Sequence, residues 1–150
     1  MSEHKANIQW QRQNAEFSYE NYSRDHQIEF ENNQQALASA APGYKGNPLA
    51  LNPETLLIGA LASCHMLTFL AICAKRGFIV DQYSDQASAT LGKNSKGQIA
   101  ITHCVLRPKV MFSGGKQPDQ TELDGLHEKA HKHCFIASSL DPEMHFQVEA

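Results

Sequence analysis

The chain has 150 residues, a formal net charge of −3 and an isoelectric point near 6.2. This length suffices for one domain whose core buries roughly two-thirds of the surface of the unfolded chain. Lysine and arginine are scattered and form no basic stripe, which argues against a nucleic-acid-binding protein and favours small molecules or proteins as ligands.

The N-terminal sequence MSEHKANIQWQRQN is polar almost throughout and has no apolar signal-peptide core. We therefore expect a cytoplasmic location. The four cysteines, Cys64, Cys73, Cys104 and Cys134, are too few and too widely spaced for a disulfide-rich secreted domain. In a reducing compartment they are expected to be core residues, metal ligands or redox-active thiols.

The N-terminal third predicts an antiparallel meander. Segments of strand character cover residues 8–11, 17–22, 26–30 and 35–39, and Asn32 with Asn33 predicts a turn before the last of them. Residues 41–52 contain proline and glycine without hydrophobic periodicity, so they predict a loop that leads into the central helix.

The central helix is predicted over residues 52–77. Asn52, Pro53 and Glu54 form a helix start signal, and Gly77 follows two basic residues as a stop signal. The uncharged run 56–74 approaches the minimum length that spans a bilayer, but its alanines and polar residues favour a buried helix. A helix that is apolar all round must be covered by other elements, such as a sheet wrapped around it.

The C-terminal half predicts strands, one helix and a final strand. Strand signals run over residues 78–80 and on to 91, then over 99–106 after a turn at 93–97. Pro108 predicts an edge position or a bulge before residues 110–112. Thr121 with Asp124 resembles a capping box for a helix ending near residue 131 or 133, and residues 144–148 predict the last strand. We expect one α+β domain over residues 1–150.

Two metal sites are conceivable. His127, Glu128 and His131 match the H-E-x-x-H pattern of zinc hydrolases, although a solvated helix face is the favoured interpretation of so short a pattern. Its third ligand would be His133, Cys134 or Glu149. A structural site could instead use Cys64, His65, His133 and Cys134, but adjacent ligands point to different helix faces.

Redox chemistry by Cys64 with Cys134 is a further possibility, whereas Cys73 and Cys104 are expected to be small core residues. A reactive thiolate needs a nearby positive charge, which an apolar helix does not supply. Arg24 could supply it. Glu54, ten residues before Cys64 on the predicted helix, could hold that guanidinium, although spacing alone favours a surface arginine and an exposed first-turn glutamate.

Three stretches of the sequence resemble the OsmC/Ohr family, the osmotically inducible protein C and organic hydroperoxide resistance proteins. They are LNPETLLIGALASCHMLTFL at 51–70, AKRGFIV ending at residue 80, and AHKHCFIASSL at 130–140. The resemblance extends over most of the chain from about Tyr19 onward. Its most specific part is the N-P-E sequence, the helix cysteine and a second cysteine some seventy residues later.

This resemblance implies a thiol peroxidase that reduces organic hydroperoxides without a metal or organic cofactor. Cys64 would be the peroxidatic cysteine that forms a sulfenic acid, and Cys134 the resolving cysteine that forms a disulfide with it. Arg24 and Glu54 match the arginine and glutamate of the family site. The family also implies an intertwined homodimer and recycling by an external dithiol of the dihydrolipoyl type.

Two departures point to an OsmC-like subgroup rather than to typical Ohr enzymes. Phe135 follows the second cysteine, where proline is common, and His65 follows Cys64, where hydroperoxide reductases carry phenylalanine. Arg12 is an alternative to Arg24. The alternative function is a non-enzymatic stress protein that binds a small molecule in an apolar cleft.

Overall fold

The computed structural model describes all residues, Met1–Ala150, and divides into two compact units, Met1–Leu56 and Leu57–Ala150. Helices and antiparallel sheets are both present, so the predicted α+β class is confirmed. The grouping of all residues into a single domain stays a prediction.

The first unit contains an antiparallel meander, as predicted, but with three strands in place of the four predicted segments. Its strands are β1 (Ala6–Gln9), β2 (His26–Phe30) and β3 (Gln35–Ala38), paired antiparallel in the order β1-β2-β3. The turn after β2 uses Asn32 and Asn33 with φ of 67° and 60°, left-handed conformations that asparagine tolerates.

The prediction of a strand over residues 17–22 is wrong. The amides of Asn21 and Tyr22 both donate to the carbonyl of Ser18, at 3.1 and 3.0 Å, which closes a tight turn. The aromatic rings of this segment pack locally, with Phe17 5.8 Å from Trp10 and 5.4 Å from Tyr22 between centroids. The aromatic residues of this segment favoured the prediction of a strand, because aromatic side chains are common in strands. In the structure they pack against one another and do not pair with a neighbouring strand.

Helix α1 (Pro53–Arg76) confirms the predicted central helix. Asn52 Oδ1 accepts a hydrogen bond from the Thr55 amide at 2.8 Å, and Gly77 ends the helix with φ of 75°. By length and composition α1 could cross a membrane, with a mean hydropathy of 2.1, although the core helix of a soluble protein passes the same test.

One face of α1 is buried. Its buried residues recur every three or four positions: Ile58, Leu61, His65, Phe69 and Cys73. The opposite face stays open, and Leu67 is 61% exposed. The second unit therefore covers its part of the helix along a single stripe.

The second unit contains two sheets. Its strands are β4 (Ile79–Asp85), β5 (Ser88–Lys93), β6 (Ile99–Leu106), β7 (Pro108–Ser113) and β8 (His145–Val148). Strands β4 and β7 form an antiparallel pair, while β5, β6 and β8 form a three-stranded sheet in which β8 runs parallel to β6. The predicted strand signal over residues 78–91 is thus divided between two sheets, and Pro108 begins a strand, where a missing amide hydrogen is tolerated.

Helix α2 (Gln120–His133) begins at a different cap from the one predicted. Asp119 is the N-cap, and its Oδ1 accepts a hydrogen bond from the Glu122 amide at 2.8 Å. Thr121 and Asp124 therefore lie inside the helix, and the predicted capping box is wrong. The helix ends at His133, as expected, with Cys134 as its C-cap.

Two hydrophobic clusters form the core of the second unit. The thiol cluster contains Ile58, Leu61, Cys104, Leu106 and Cys134, and the second contains Phe69, Cys73, Phe78, Leu126 and Ala130. Burial raises the pKa of the Cys73 thiol to about 11. It also raises the pKa of the Cys104 thiol. These two thiols stay protonated at neutral pH, in agreement with their predicted role as core residues.

Candidate active site

Cys64 lies on α1 at the edge of the thiol cluster and is half-buried. Its position combines contact with apolar side chains and partial access to solvent. Cys64 is partly exposed to solvent, whereas the other three cysteines of the chain are buried. Among the cysteines, Cys64 is therefore the accessible nucleophile.

Cys134 is fully buried at the C-terminal end of α2, in the thiol cluster against which Cys64 packs. Both thiols are free. Burial, and after it the neighbouring Cys64 side chain, raises the pKa of Cys134 to about 11, while the Ala137 amide, which donates to its Sγ at 3.4 Å, acts in the opposite direction. Cys134 is thus protonated at neutral pH and can donate its hydrogen to Cys64.

Arg24 precedes β2 in the first unit and is held by backbone carbonyls. Its Nη1 donates to Tyr22 O at 2.6 Å and its Nη2 to Tyr19 O at 2.5 Å. The guanidinium lies 3.8 Å from the centroid of the Tyr22 ring, a cation–π contact. No carboxylate pairs with it, so its charge remains available for an anion.

Arg24 also borders an apolar cavity of about 520 Å³ within the first unit. Three aromatic side chains, Trp10, Phe17 and Tyr22, form much of its wall. Apolar walls with one fixed cation are suited to a molecule with an apolar body. The alternative Arg12 does not border this cavity and donates to the carbonyl of Ala15 at 3.2 Å.

Glu54 lies in the first turn of α1, and its Oε2 is buried without a hydrogen-bond partner. The predicted contact between Glu54 and Arg24 is absent from the first unit, because the guanidinium is held by carbonyls instead. A buried carboxylate oxygen without a donor is costly, so this position calls for a positively charged or hydrogen-bonding partner. The roles of both residues in the thiol chemistry stay predictions.

A buried histidine cluster is the main feature that sequence reasoning missed. His65 Nε2 and His127 Nδ1 are 3.0 Å apart and hydrogen-bonded, and the two rings lie edge to edge in nearly the same plane, with an interplanar angle of 6° and centroids 5.3 Å apart. Burial lowers the pKa of each to about 4 and also lowers that of His131, so the three are neutral at pH 7. The H-E-x-x-H pattern pointed to His127 and His131, but the interpretation as a solvated helix face is wrong, because His127 is only 3% exposed.

No group of three or more histidine, cysteine, aspartate or glutamate side chains is arranged to hold a metal ion. His127 Nδ1 is already occupied by His65. In the second hypothetical site, His133 is exposed while its neighbour Cys134 is buried, so the two point apart. Neither metal hypothesis gains support from this geometry.

Comparisons with known proteins agree on one family. Residues 45–149 match the family described as OsmC-like protein. An OsmC-like protein of unknown function from Vibrio cholerae is 44% identical, with 99% of each chain covered and a TM-score of 0.91. The uncharacterised protein YmaD of Bacillus subtilis is 25% identical over 100 residues, which are 66% of this chain and 66% of that protein.

More distant structures share the fold. The organic hydroperoxide resistance protein OhrB of Bacillus subtilis has a TM-score of 0.68 at 16% identity, with 99% of this chain and 97% of that chain covered. An organic hydroperoxide resistance protein from Legionella pneumophila has a TM-score of 0.74 at 14% identity, with 100% and 98% covered. At these identities the likeness concerns the fold alone.

Proposed function

This chain belongs to the OsmC-like protein family, and from that membership we propose that it is a thiol-dependent peroxidase that reduces organic hydroperoxides to alcohols. The observation that carries the proposal is the packing of Cys64 against the thiol cluster that contains Cys134, which brings a half-buried thiol and a fully buried, protonated one into the same cluster. The names of the organic hydroperoxide resistance proteins with the same fold support the choice of substrate.

In the proposed first step, the Cys64 thiolate attacks one oxygen of the hydroperoxide. A sulfur–oxygen bond forms, the oxygen–oxygen bond breaks, and the departing alkoxide takes up a proton to become the alcohol. Cys64 is thereby oxidised to a sulfenic acid and the peroxide is reduced.

In the second step, the Cys134 sulfur attacks the sulfenic sulfur of Cys64. A disulfide forms, and the hydroxide that leaves takes the Cys134 proton and departs as water. An external dithiol, which we propose to be of the dihydrolipoyl type, then reduces the disulfide and is itself oxidised to a disulfide. The packing of Cys64 against the cluster that contains Cys134 supports this sequence of steps.

Arg24 and Glu54 are proposed to act on the thiolate in the assembled protein, an intertwined homodimer in the cytoplasm. Arg24 would stabilise the negative charge of Cys64, and Glu54 would hold the guanidinium in place. Two findings support these roles: Arg24 has no acidic partner, and Glu54 Oε2 is buried without a donor.

The second candidate function is the binding of a small molecule without catalysis. The 520 Å³ cavity beside Arg24, lined by aromatic side chains, favours it. Under this alternative the protein would retain an apolar compound, while Cys64 would react slowly with peroxides of every kind.

The two functions are separated by treating the reduced protein with one equivalent of tert-butyl hydroperoxide and mapping its disulfides by mass spectrometry. The peroxidase predicts a Cys64–Cys134 disulfide that a dithiol reverses, in the native protein and in Cys73→Ala alike. Four unmodified thiols after this treatment would exclude the peroxidase and leave the binding function. Hydrogen peroxide in a parallel reaction measures the preference for an organic substrate.

A further inference from the structure

The buried pair formed by His65 and His127 links the two helices that carry the thiols. His65 directly follows Cys64 on α1, and His127 lies on α2 about two turns before Cys134. The hydrogen bond of 3.0 Å between the two rings therefore joins α1 to α2 one residue after Cys64 and about two turns before Cys134.

Each ring of the pair makes a single side-chain hydrogen bond, the one to the other ring. His65 is fully buried and His127 nearly so, and the remaining ring nitrogens, His65 Nδ1 and His127 Nε2, have no partner. Phe69 stacks on His127 at 4.3 Å, so the ring is held from the side by apolar contact and along its plane by His65. Breaking the bond would leave two further unpaired nitrogens in the core, which is costly.

The pair can form because both rings are neutral. In a neutral imidazole one nitrogen donates and the other accepts, so one ring of the pair donates to the other. Two charged rings would both present donors at this contact and repel each other. At neutral pH the link between α1 and α2 is therefore intact.

We propose that His65 and His127 are positioning residues for the thiol pair: their hydrogen bond holds α1 and α2 at the separation at which Cys134 reaches Cys64. A disulfide demands a narrow range of distances between its two residues, so a looser contact between the helices lowers the effective concentration of one thiol at the other. An effect of this hydrogen bond on catalysis rests on the proposed peroxidase function. The equilibrium of the Cys64–Cys134 disulfide does not, because it can be measured whether or not the protein reduces peroxides.

The test is the equilibrium constant of the Cys64–Cys134 disulfide in dithiothreitol buffers, measured by alkylation and mass spectrometry on the full chain. His127→Phe keeps a flat ring against Phe69 but removes the hydrogen bond. We expect disulfide formation to weaken by about tenfold, a rise in reduction potential of about 30 mV. His133→Phe, the same exchange at an exposed position next to Cys134, is the matched control and should change the constant less than about twofold.

Two further variants separate positioning from general packing. His127→Asn places an amide where Nδ1 of the imidazole lies and should restore most of the equilibrium constant, while His65→Asn, whose amide is too short to replace Nε2, removes the bond from the other helix and should reproduce the loss. His65→Asn also provides the measurement if His127→Phe does not fold. The proposal would be overturned if folded His127→Phe had an equilibrium constant within twofold of the native value, or if His127→Asn did not restore it.

The rates of sulfenic acid formation and of disulfide formation test the positioning role and the proposed peroxidase function separately. In a Cys134→Ser background, His127→Phe should leave the rate of sulfenic acid formation within about twofold, because the bond acts on the second step. A protein that fails to react with any peroxide but still shows the equilibrium shift would refute the peroxidase and retain the positioning role. An equal loss in both steps would refute the positioning role.

Discussion

At the scale of single residues, the two thiols differ in ways that assign their order of reaction. Cys64 is accessible, whereas Cys134 is buried and its pKa is raised to about 11. Cys64→Ser should therefore abolish peroxide consumption. Cys134→Ser should consume one equivalent per subunit and accumulate a sulfenic acid that dimedone traps. Equal activity of Cys64→Ser and the native protein in a peroxide assay would contradict this order.

Arg24 provides a second prediction at this scale. It has a permanent charge and no acidic partner, so its proposed target is the Cys64 thiolate. Arg24→Ala should slow the alkylation of Cys64 by iodoacetamide at pH 7 by about tenfold or more. Arg12→Ala is the matched control, since Arg12 only contacts the nearby Ala15 carbonyl. If Arg12→Ala slows the reaction and Arg24→Ala does not, the assignment of the arginine is wrong.

The buried histidines predict a loss of stability in mild acid. The pKa values of His65 and His127 fall from 6.5 to about 4, mainly through burial, with nearby His131 lowering that of His65 and Asp124 opposing the shift at His127. The unfolded chain therefore binds more protons than the folded chain between pH 6.5 and 4, and stability falls as pH falls through this window. From pH 7 to 5 the loss should be about 1–2 kcal/mol per histidine.

Urea unfolding at the two pH values measures this loss. His127→Gln removes one of the two titrating groups, so its unfolding free energy should depend less steeply on pH than that of the native chain. His103→Gln, the same exchange at an exposed histidine on β6, is the matched control and should retain the loss of stability that the buried pair causes. A native protein of constant stability between pH 7 and 5 would show that the pair is not neutral and buried in solution.

At the scale of elements, the sequence predicts correctly the features that depend on residues close together in the chain, such as the ends of a helix. The bounds of α1 follow from Asn52, Pro53 and Gly77, which act within one turn of the helix ends. The parallel pairing of β8 with β6 joins residues some forty positions apart in the chain. The sequence of residues 145–148 by itself does not indicate which strand is the partner. The histidine cluster was missed for the same reason, since His65 and His127 are 62 positions apart.

The N-cap of α2 gives a prediction at this scale. Asp119 Oδ1 accepts the Glu122 amide, and such a cap contributes about 1 kcal/mol. Asp119→Ala should lower the unfolding free energy by about that amount in urea titrations. Thr121→Ala, at the position that the sequence suggested as the cap, should lower the unfolding free energy by less. A larger loss in Thr121→Ala than in Asp119→Ala would show that Thr121 is the cap after all.

At the scale of the whole molecule, the open face of α1 supports the proposed homodimer. A 24-residue helix of high hydropathy is buried along one stripe only, and Leu67 remains 61% exposed on the other side. An exposed apolar surface on a long helix is typical of a surface that another protein covers. A second copy of the chain is the partner that the family resemblance implies.

Leu67→Glu tests this assembly. A carboxylate in the centre of an apolar interface would lose its hydration without gaining a partner, so the dimer should dissociate at micromolar concentration. Analytical ultracentrifugation should then give about 17 kDa for the variant and twice that mass for the native protein, since one chain is 16.7 kDa. Lys75→Glu, a charge change at the exposed end of the same helix, is the control that should remain dimeric. A native protein that sediments as a monomer would refute the dimer, and any role of Arg24 at Cys64 would then have to arise within one chain.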